Sequence, residues 1–246
     1  MHYVSDSELG YMASARRFFP AEALRFDEAY RRAYLPLINP GHPAVIAASG
    51  GYELGRYSQR RYSLVLPVAM DALESSTVFS DLDREFRQSS FAGAIAWEAM
   101  AQRRSLVHVT LCRGFSEQAL PALTDKLNTW VKHTRRPGYR VGGPFAGTIN
   151  TGRIYFKIYP EKREGRNLFH TLQGRVDGQT THLWLAGYYH FQDEPDALQT
   201  AHLASVIEKY ADETLFTATA RELWLLASND DLGISGEVMY RFLFAE

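Results

Sequence analysis

The sequence predicts an α+β protein, and three observations carry that prediction. From Arg61 onward, short β-rich runs alternate with amphipathic helical stretches. These elements follow the order strand, helix, strand, strand, helix and then much the same order again, which points to a duplication although the letters repeat only at two histidine-bearing segments. Residues 1–58 read differently and predict an N-terminal helix-and-loop extension on a domain spanning 59–246. With 246 residues, 46% of them hydrophobic and 22% charged, the chain is long and apolar enough for a sizeable core.

In the extension, Phe26, Tyr30, Ala33 and Tyr34 fall near helical spacing and predict a helix within 20–34. Pro36, Asn39-Pro40-Gly41, Pro43 and Gly50-Gly51 then mark a loop. The glycines do not form a phosphate loop, because the Walker spacing and its lysine are missing. The apolar run 62–68 predicts the first strand, and Phe79, Leu82 and Phe86 predict a helix over 73–88. Strands are expected over 91–97 and 105–112. Ser116 suits a helix cap, Glu117 suits the positive N-terminal end, and Leu120, Leu123, Leu127, Trp130 and Val131 form a buried stripe that Pro137-Gly138 terminates. The second round comprises strands over 139–148 and 153–159, a short helix over 166–173, a strand over 181–191, a helix opened by Pro195 and running to about 210, and closing strands over 221–227 and 238–244.

Bulk properties exclude several function classes. A formal net charge of −1 argues against the broadly cationic surface that duplex-DNA binding uses. Cys112 is the only cysteine, so neither an intrachain disulfide nor a thiolate zinc cluster forms. No apolar run reaches membrane-span length and the first ten residues are polar, so the expectation is no membrane association and a cytoplasmic location. No set of histidine, cysteine and carboxylate residues has metal-ligand spacing, and no cofactor is expected.

The candidate chemistry lies in two histidines 74 positions apart, His108 and His182, each on a predicted strand. Alternate strand residues share a face, so His108, Thr110 and Cys112 point one way while Val107, Val109 and Leu111 point to the core; likewise His182, Trp184 and Tyr188 share a face. Two imidazoles presented to one cleft suit metal-free acid/base chemistry, since histidine titrates near 6.5. Bracketing one phosphate would set them on the order of 5–8 Å apart. Around an anion, Arg113, Arg153 and Lys157 are candidate cations. Tyr155, Tyr159 and Tyr188 are candidate lining residues. Cys112 has no charged neighbour to activate it. His170 and His190 lie near the second strand, His190 at its end in a solvent-exposed or capping position.

With these segments in view, the chain from about Arg61 to its C-terminus resembles the two-histidine phosphoesterase superfamily, the LigT-like RNA 2′,3′-cyclic phosphodiesterases, whose hallmark is a pair of His-x-Thr/Ser motifs. His108-Val109-Thr110-Leu111 matches the first motif. His182-Leu183-Trp184-Leu185 keeps the histidine but has Trp184 where the family places a hydroxyl. The resemblance implies two pseudosymmetric, interleaved lobes, about 59–138 and 139–246, whose antiparallel sheets carry outer helices and enclose a central cleft. It also implies a metal-independent phosphodiesterase acting on a cyclic nucleotide, a 2′-5′-linked or an RNA-terminal phosphate. His108 and His182 would be the acid/base pair, with Thr110 as phosphoryl donor. Trp184 leaves a second reading open, a nucleotide- or RNA-end-binding module in which the ring stacks on a base. An unrelated α+β domain whose histidines match by accident is the third.

Overall fold

The computed structural model describes residues 1–245 and is built on one long antiparallel path of eight principal strands. In chain order these are β1 (Arg56–Pro67), β2 (His108–Phe115), β3 (Gly138–Ala146), β4 (Arg153–Arg163), β5 (Leu185–His190), β6 (Thr214–Thr219), β7 (Glu222–Asp230) and β8 (Glu237–Leu243). Their spatial order is β6-β3-β4-β5-β2-β1-β7-β8. The sheet is open, with β6 and β8 at the ends of the path. At its centre the join is slender: β5 and β2 meet through one register pair, Ala186 opposite Val109. Long ladders on either side hold the rest, β1 against β2 and β7, and β4 against β3 and β5. An α+β protein with an antiparallel sheet is therefore what the chain folds into.

Helices complete the core. The principal ones are α1 (Glu28–Ala33), α2 (Thr77–Gln88), α3 (Trp97–Gln102), α4 (Leu120–Val131), α5 (Leu168–Gln173) and α6 (Ala197–Tyr210). Ser76 caps α2 by accepting from the Phe79 amide at 3.2 Å, and Phe79, Leu82 and Phe86 are its buried stripe. Phe79 meets Phe156 and Tyr188 edge-on, and Phe86 stacks on Tyr189, which lays α2 on one face of β4 and β5. No helix is long and apolar enough to cross a membrane.

Several elements differ from expectation for local reasons. The helix over 73–88 is two helices, Met70–Glu74 and α2, because the Ser76 cap starts a new one. Residues 91–97 do not form a strand: Ala92–Ala94 is a 3₁₀ turn that buries Phe91 and Ile95, and Ile95 makes only an isolated bridge to Phe191. The first histidine strand starts at His108, after a 3₁₀ turn at Arg104–Leu106. The second starts at Leu185, four residues later than expected. There the Thr181 hydroxyl captures the Leu183 amide at 3.2 Å, and the Gln173 side chain donates to the Thr181 carbonyl at 2.7 Å, so local bonds replace the ladder. In the N-terminal segment the helix is only Glu28–Ala33, capped by Asp27. That segment nevertheless shares the main core through Tyr11, Leu24, Tyr30 and Tyr34, and the Tyr30 hydroxyl donates to the Phe191 carbonyl at 2.7 Å.

Candidate functional site

A cleft of about 900 Å³ opens over the β2–β5 seam. One residue beyond the Ala186–Val109 pair, the register sets Gly187 opposite His108, and residues directly opposite share a face. Tyr155 pairs with Gly187, and Arg153 lies two residues away on the same face of β4. Thr110 follows His108. All five therefore face the cleft, with Arg103 from the end of α3 and Tyr34 from the N-terminal segment closing its inner end.

His108 is half-buried, and its Nδ1–H donates to the Leu106 carbonyl at 2.6 Å. A carbonyl only accepts, so the proton is on Nδ1 and Nε2 is left as an acceptor. Burial, reinforced by Arg103 and Arg153, holds its pKa down to about 4 against the pull of that carbonyl. The imidazole is neutral at pH 7. No protein partner engages the Thr110 hydroxyl among the described residues.

Two guanidinium groups converge on Gly187. Arg103 is buried, only 3% exposed. It donates through Nε to the Leu232 carbonyl at 2.8 Å, and through Nη1 to the Gly187 carbonyl at 2.7 Å and to His190 Nε2 at 3.2 Å. Burial and the neighbouring Arg153 lower its pKa to about 9. Arg153 lies flat on Gly187: a β-carbon there would overlap its Nη2, Nε and guanidinium carbon. Its Nη1 donates to the Tyr34 hydroxyl at 2.9 Å, its guanidinium carbon stands 5.0 Å and 4.9 Å from the Tyr34 and Tyr155 ring centres, and its Nε is sealed from solvent without a partner. Neither arginine forms an ion pair with a carboxylate among the described residues. The nearby acids are otherwise engaged: Asp230 accepts from the Gly233, Ile234 and Ser235 amides, and Asp231 accepts from the Tyr52 hydroxyl. Buried charge without an ion-pair partner is costly, and an anion in this corner of the cleft would offset that cost.

Of the residues expected from sequence, His108, Thr110, Arg113, Arg153 and Tyr155 line the cleft. His182 does not. It is exposed, lies ahead of β5, and its Nδ1 is 3.3 Å from His170 Nε2, so strand alternation never governs it. Trp184 is fully buried against Phe169 and His170, with ring centres 5.5 Å and 4.9 Å apart, and fills the interior instead of offering a stacking face. Tyr188 sits at a β-bulge in β5 that turns it onto Phe79 and Phe156, away from the cleft. Lys157 has the right parity but is buried under the N-terminal segment, 3.9 Å from Asp6, and Tyr159 donates to the same carboxylate at 2.6 Å. Cys112 falls beyond a bulge in the β1–β2 ladder and is fully buried, which pushes its thiol up to about 11. His190 is buried rather than capping, and burial with both arginines drives its pKa well below the usual range.

Sequence reasoning missed Arg103, Tyr34 and Gly187. Arg103 reads as one of two adjacent surface charges. Gly187 carried the usable signal, since a glycine inside a strand marks a close approach by another group. No group of three or more potential metal ligands occurs among the described residues. The crystal structure of TT0787 of Thermus thermophilus is similar over 76% of this chain and 99% of that one, at 11% identity and a TM-score of 0.39. No family model matches the sequence, and no curated protein does.

Proposed function

We propose that the cleft binds the phosphate of a nucleotide or RNA end and does not turn it over by paired histidines. The observation that carries this reading is the convergence of Arg103 and Arg153 on Gly187, without carboxylate partners, beside His108 and Thr110. Two guanidinium groups, a hydroxyl and a neutral imidazole suit a phosphate and one polar group next to it.

The His-x-Thr motif supports a two-histidine phosphoesterase-like ancestry with two pseudosymmetric lobes. On this reading a pseudo-two-fold axis at the Ala186–Val109 pair would match β2 to β5, β1 to β4, β7 to β3 and β8 to β6, and the strand order is compatible with that pairing. Under that axis His108 corresponds to Leu185 and Thr110 to Gly187. The second half then lacks both the acid/base group and the hydroxyl, and Arg153 occupies the space above Gly187 that a side chain would need. One imidazole cannot both deprotonate a nucleophile and protonate a leaving group in the same step. This favours the binding module over the enzyme.

Calorimetric titration with adenosine 3′-phosphate, alongside a turnover assay on adenosine 2′,3′-cyclic phosphate, tests the proposal. Binding in the micromolar range and no turnover is the expected result. Absence of phosphate binding at millimolar ligand sinks the reading. Chelator-insensitive hydrolysis abolished by His108→Ala restores the phosphodiesterase.

A further inference from the structure

We infer that the cleft selects a phosphomonoester dianion with a hydroxyl beside it, as on a ribose 2′- or 3′-phosphate end, over a diester or a cyclic phosphate. This rests on the phosphate reading above and names its ligand more narrowly. Charge is the first argument. Arg103 and Arg153 bring two positive charges to Gly187, and among the described residues no carboxylate is in ion-pair contact with either; Asp230 and Asp231 act on them only from across the cleft. The cleft lining carries arginines in excess of its aspartates, Arg60, Arg61, Arg103, Arg113 and Arg153 against Asp230 and Asp231, so a monoester with a charge close to −2 near neutral pH is held more strongly than a diester or cyclic phosphate with −1.

Hydrogen-bond inventory is the second argument. Arg103 uses Nε and Nη1 on protein acceptors and keeps Nη2; Arg153 uses Nη1 on Tyr34 and keeps Nη2 against Gly187. With the Thr110 hydroxyl, these are donors for phosphoryl oxygens. His108 supplies the opposite polarity. Because its Nδ1–H is held by the Leu106 carbonyl, Nε2 faces a ligand only as an acceptor, and a phosphate dianion has no proton to give it. A hydroxyl on the atom next to the phosphate-bearing carbon does. A cyclic phosphate has lost that hydroxyl to ring closure. The volume of about 900 Å³ accommodates a nucleotide and not merely a phosphate ion.

The titratable and charged groups around the ligand are Tyr57, Arg60, Arg61 and Tyr62 of β1, His108 and Arg113 of β2, Arg103 at the end of α3 with His190 against it, Arg153 and Tyr155 of β4, Tyr34, Asp230 at the end of β7 and Asp231 after it. His108 titrates at about 4, while a phosphomonoester takes up its second proton near 6, so the ligand's own titration is readable above that of the imidazole.

The test is a titration of the whole chain with adenosine 3′-phosphate, adenosine 2′,3′-cyclic phosphate and 2′-deoxyadenosine 3′-phosphate between pH 7.5 and 5. At pH 7.5 the 3′-phosphate is expected to bind at least tenfold more tightly than the cyclic compound. That advantage shrinks toward pH 5 as the monoester becomes a monoanion, while affinity for the cyclic compound stays flat. The deoxy compound is expected to bind roughly three- to tenfold more weakly than the ribo compound, the range of one hydrogen bond, and His108→Ala abolishes that difference. Equal affinity for monoester and cyclic phosphate, or a monoester affinity that is flat with pH, overturns the dianion inference while leaving phosphate binding intact. Equal affinity for ribo and deoxy ligands in the unmodified protein overturns the role of His108. Failure of all three ligands to bind overturns the phosphate reading itself. The pH series needs no substitution, so it remains decisive if His108→Ala does not fold.

Discussion

Strands β2 and β5 meet at the same seam and face the same cleft, yet they contribute opposite kinds of surface. β2 presents side chains, the His108 imidazole and the Thr110 hydroxyl. At the corresponding place β5 presents Leu185 and Gly187, and its polar contribution is the Gly187 carbonyl that anchors Arg103. Where one strand carries functional groups, its neighbour carries an absence that lets Arg153 of β4 lie against the backbone. The lesson is that a polar site can be completed by removing a side chain, because the missing β-carbon is what admits a group from elsewhere.

Four outcomes break or sharpen that contrast. The largest effect is expected at Trp184, just ahead of β5. Trp184→Thr should cost about 3–5 kcal/mol of stability, as other tryptophan truncations in packed cores do, and a denaturant titration measures it. A nucleotide-affinity change without a stability loss would return the ring to the cleft. Arg153→Met removes the group that β5 accommodates. It should weaken adenosine 3′-phosphate binding by about 10–100-fold, the range of a charged hydrogen bond, with little change in thermal midpoint. Intact binding in calorimetry would detach Arg153 from the site.

The third outcome is a pH dependence carried by β2. His108 titrates near 6.5 unfolded and at about 4 folded, so between those values the unfolded chain binds more protons and stability falls as pH falls. The contribution is fully present above about pH 6.5 and lost toward pH 4. Comparing denaturant titrations at pH 7 and 4.5, His108→Gln should lose about 2 kcal/mol less than the unmodified protein. Buried His190 adds a loss of the same sign in both proteins. An identical pH response in the two would mean that His108 is not held neutral. The smallest effect is expected at His182, where His182→Ala should shift stability by under about 0.5 kcal/mol and leave nucleotide affinity unchanged. A tenfold loss of affinity would place that imidazole in the cleft after all.

Much of this molecule is legible in the chain itself. Local composition makes the strands within 62–68, 139–148 and 153–159 legible, because each is a β-rich run that the fold buries, and local periodicity makes most of the helix expected over 73–88 and the helices after Ser116 and Pro195 legible, because each buries one stripe of its own residues. The His108-Val109-Thr110 alternation is local in the same sense, and it does put both side chains on the cleft face. What the sequence could not decide is how the halves of the site combine. Strand periodicity predicts facing only where a ladder exists, and at 181–184 the Thr181 and Gln173 hydrogen bonds replace it, so His182 follows the loop and not the strand. Bulges at Tyr188 and near Leu111 shift parity in mid-strand, which sends Tyr188 and Cys112 away from the cleft. Arg103, Tyr34 and Arg153 are 50 to 119 positions apart and come together only through the packing of an N-terminal segment and a short helix around a strand glycine. That meeting depends on the excluded volume of a β-carbon that is not there, a property of the assembled neighbours and not of any segment alone.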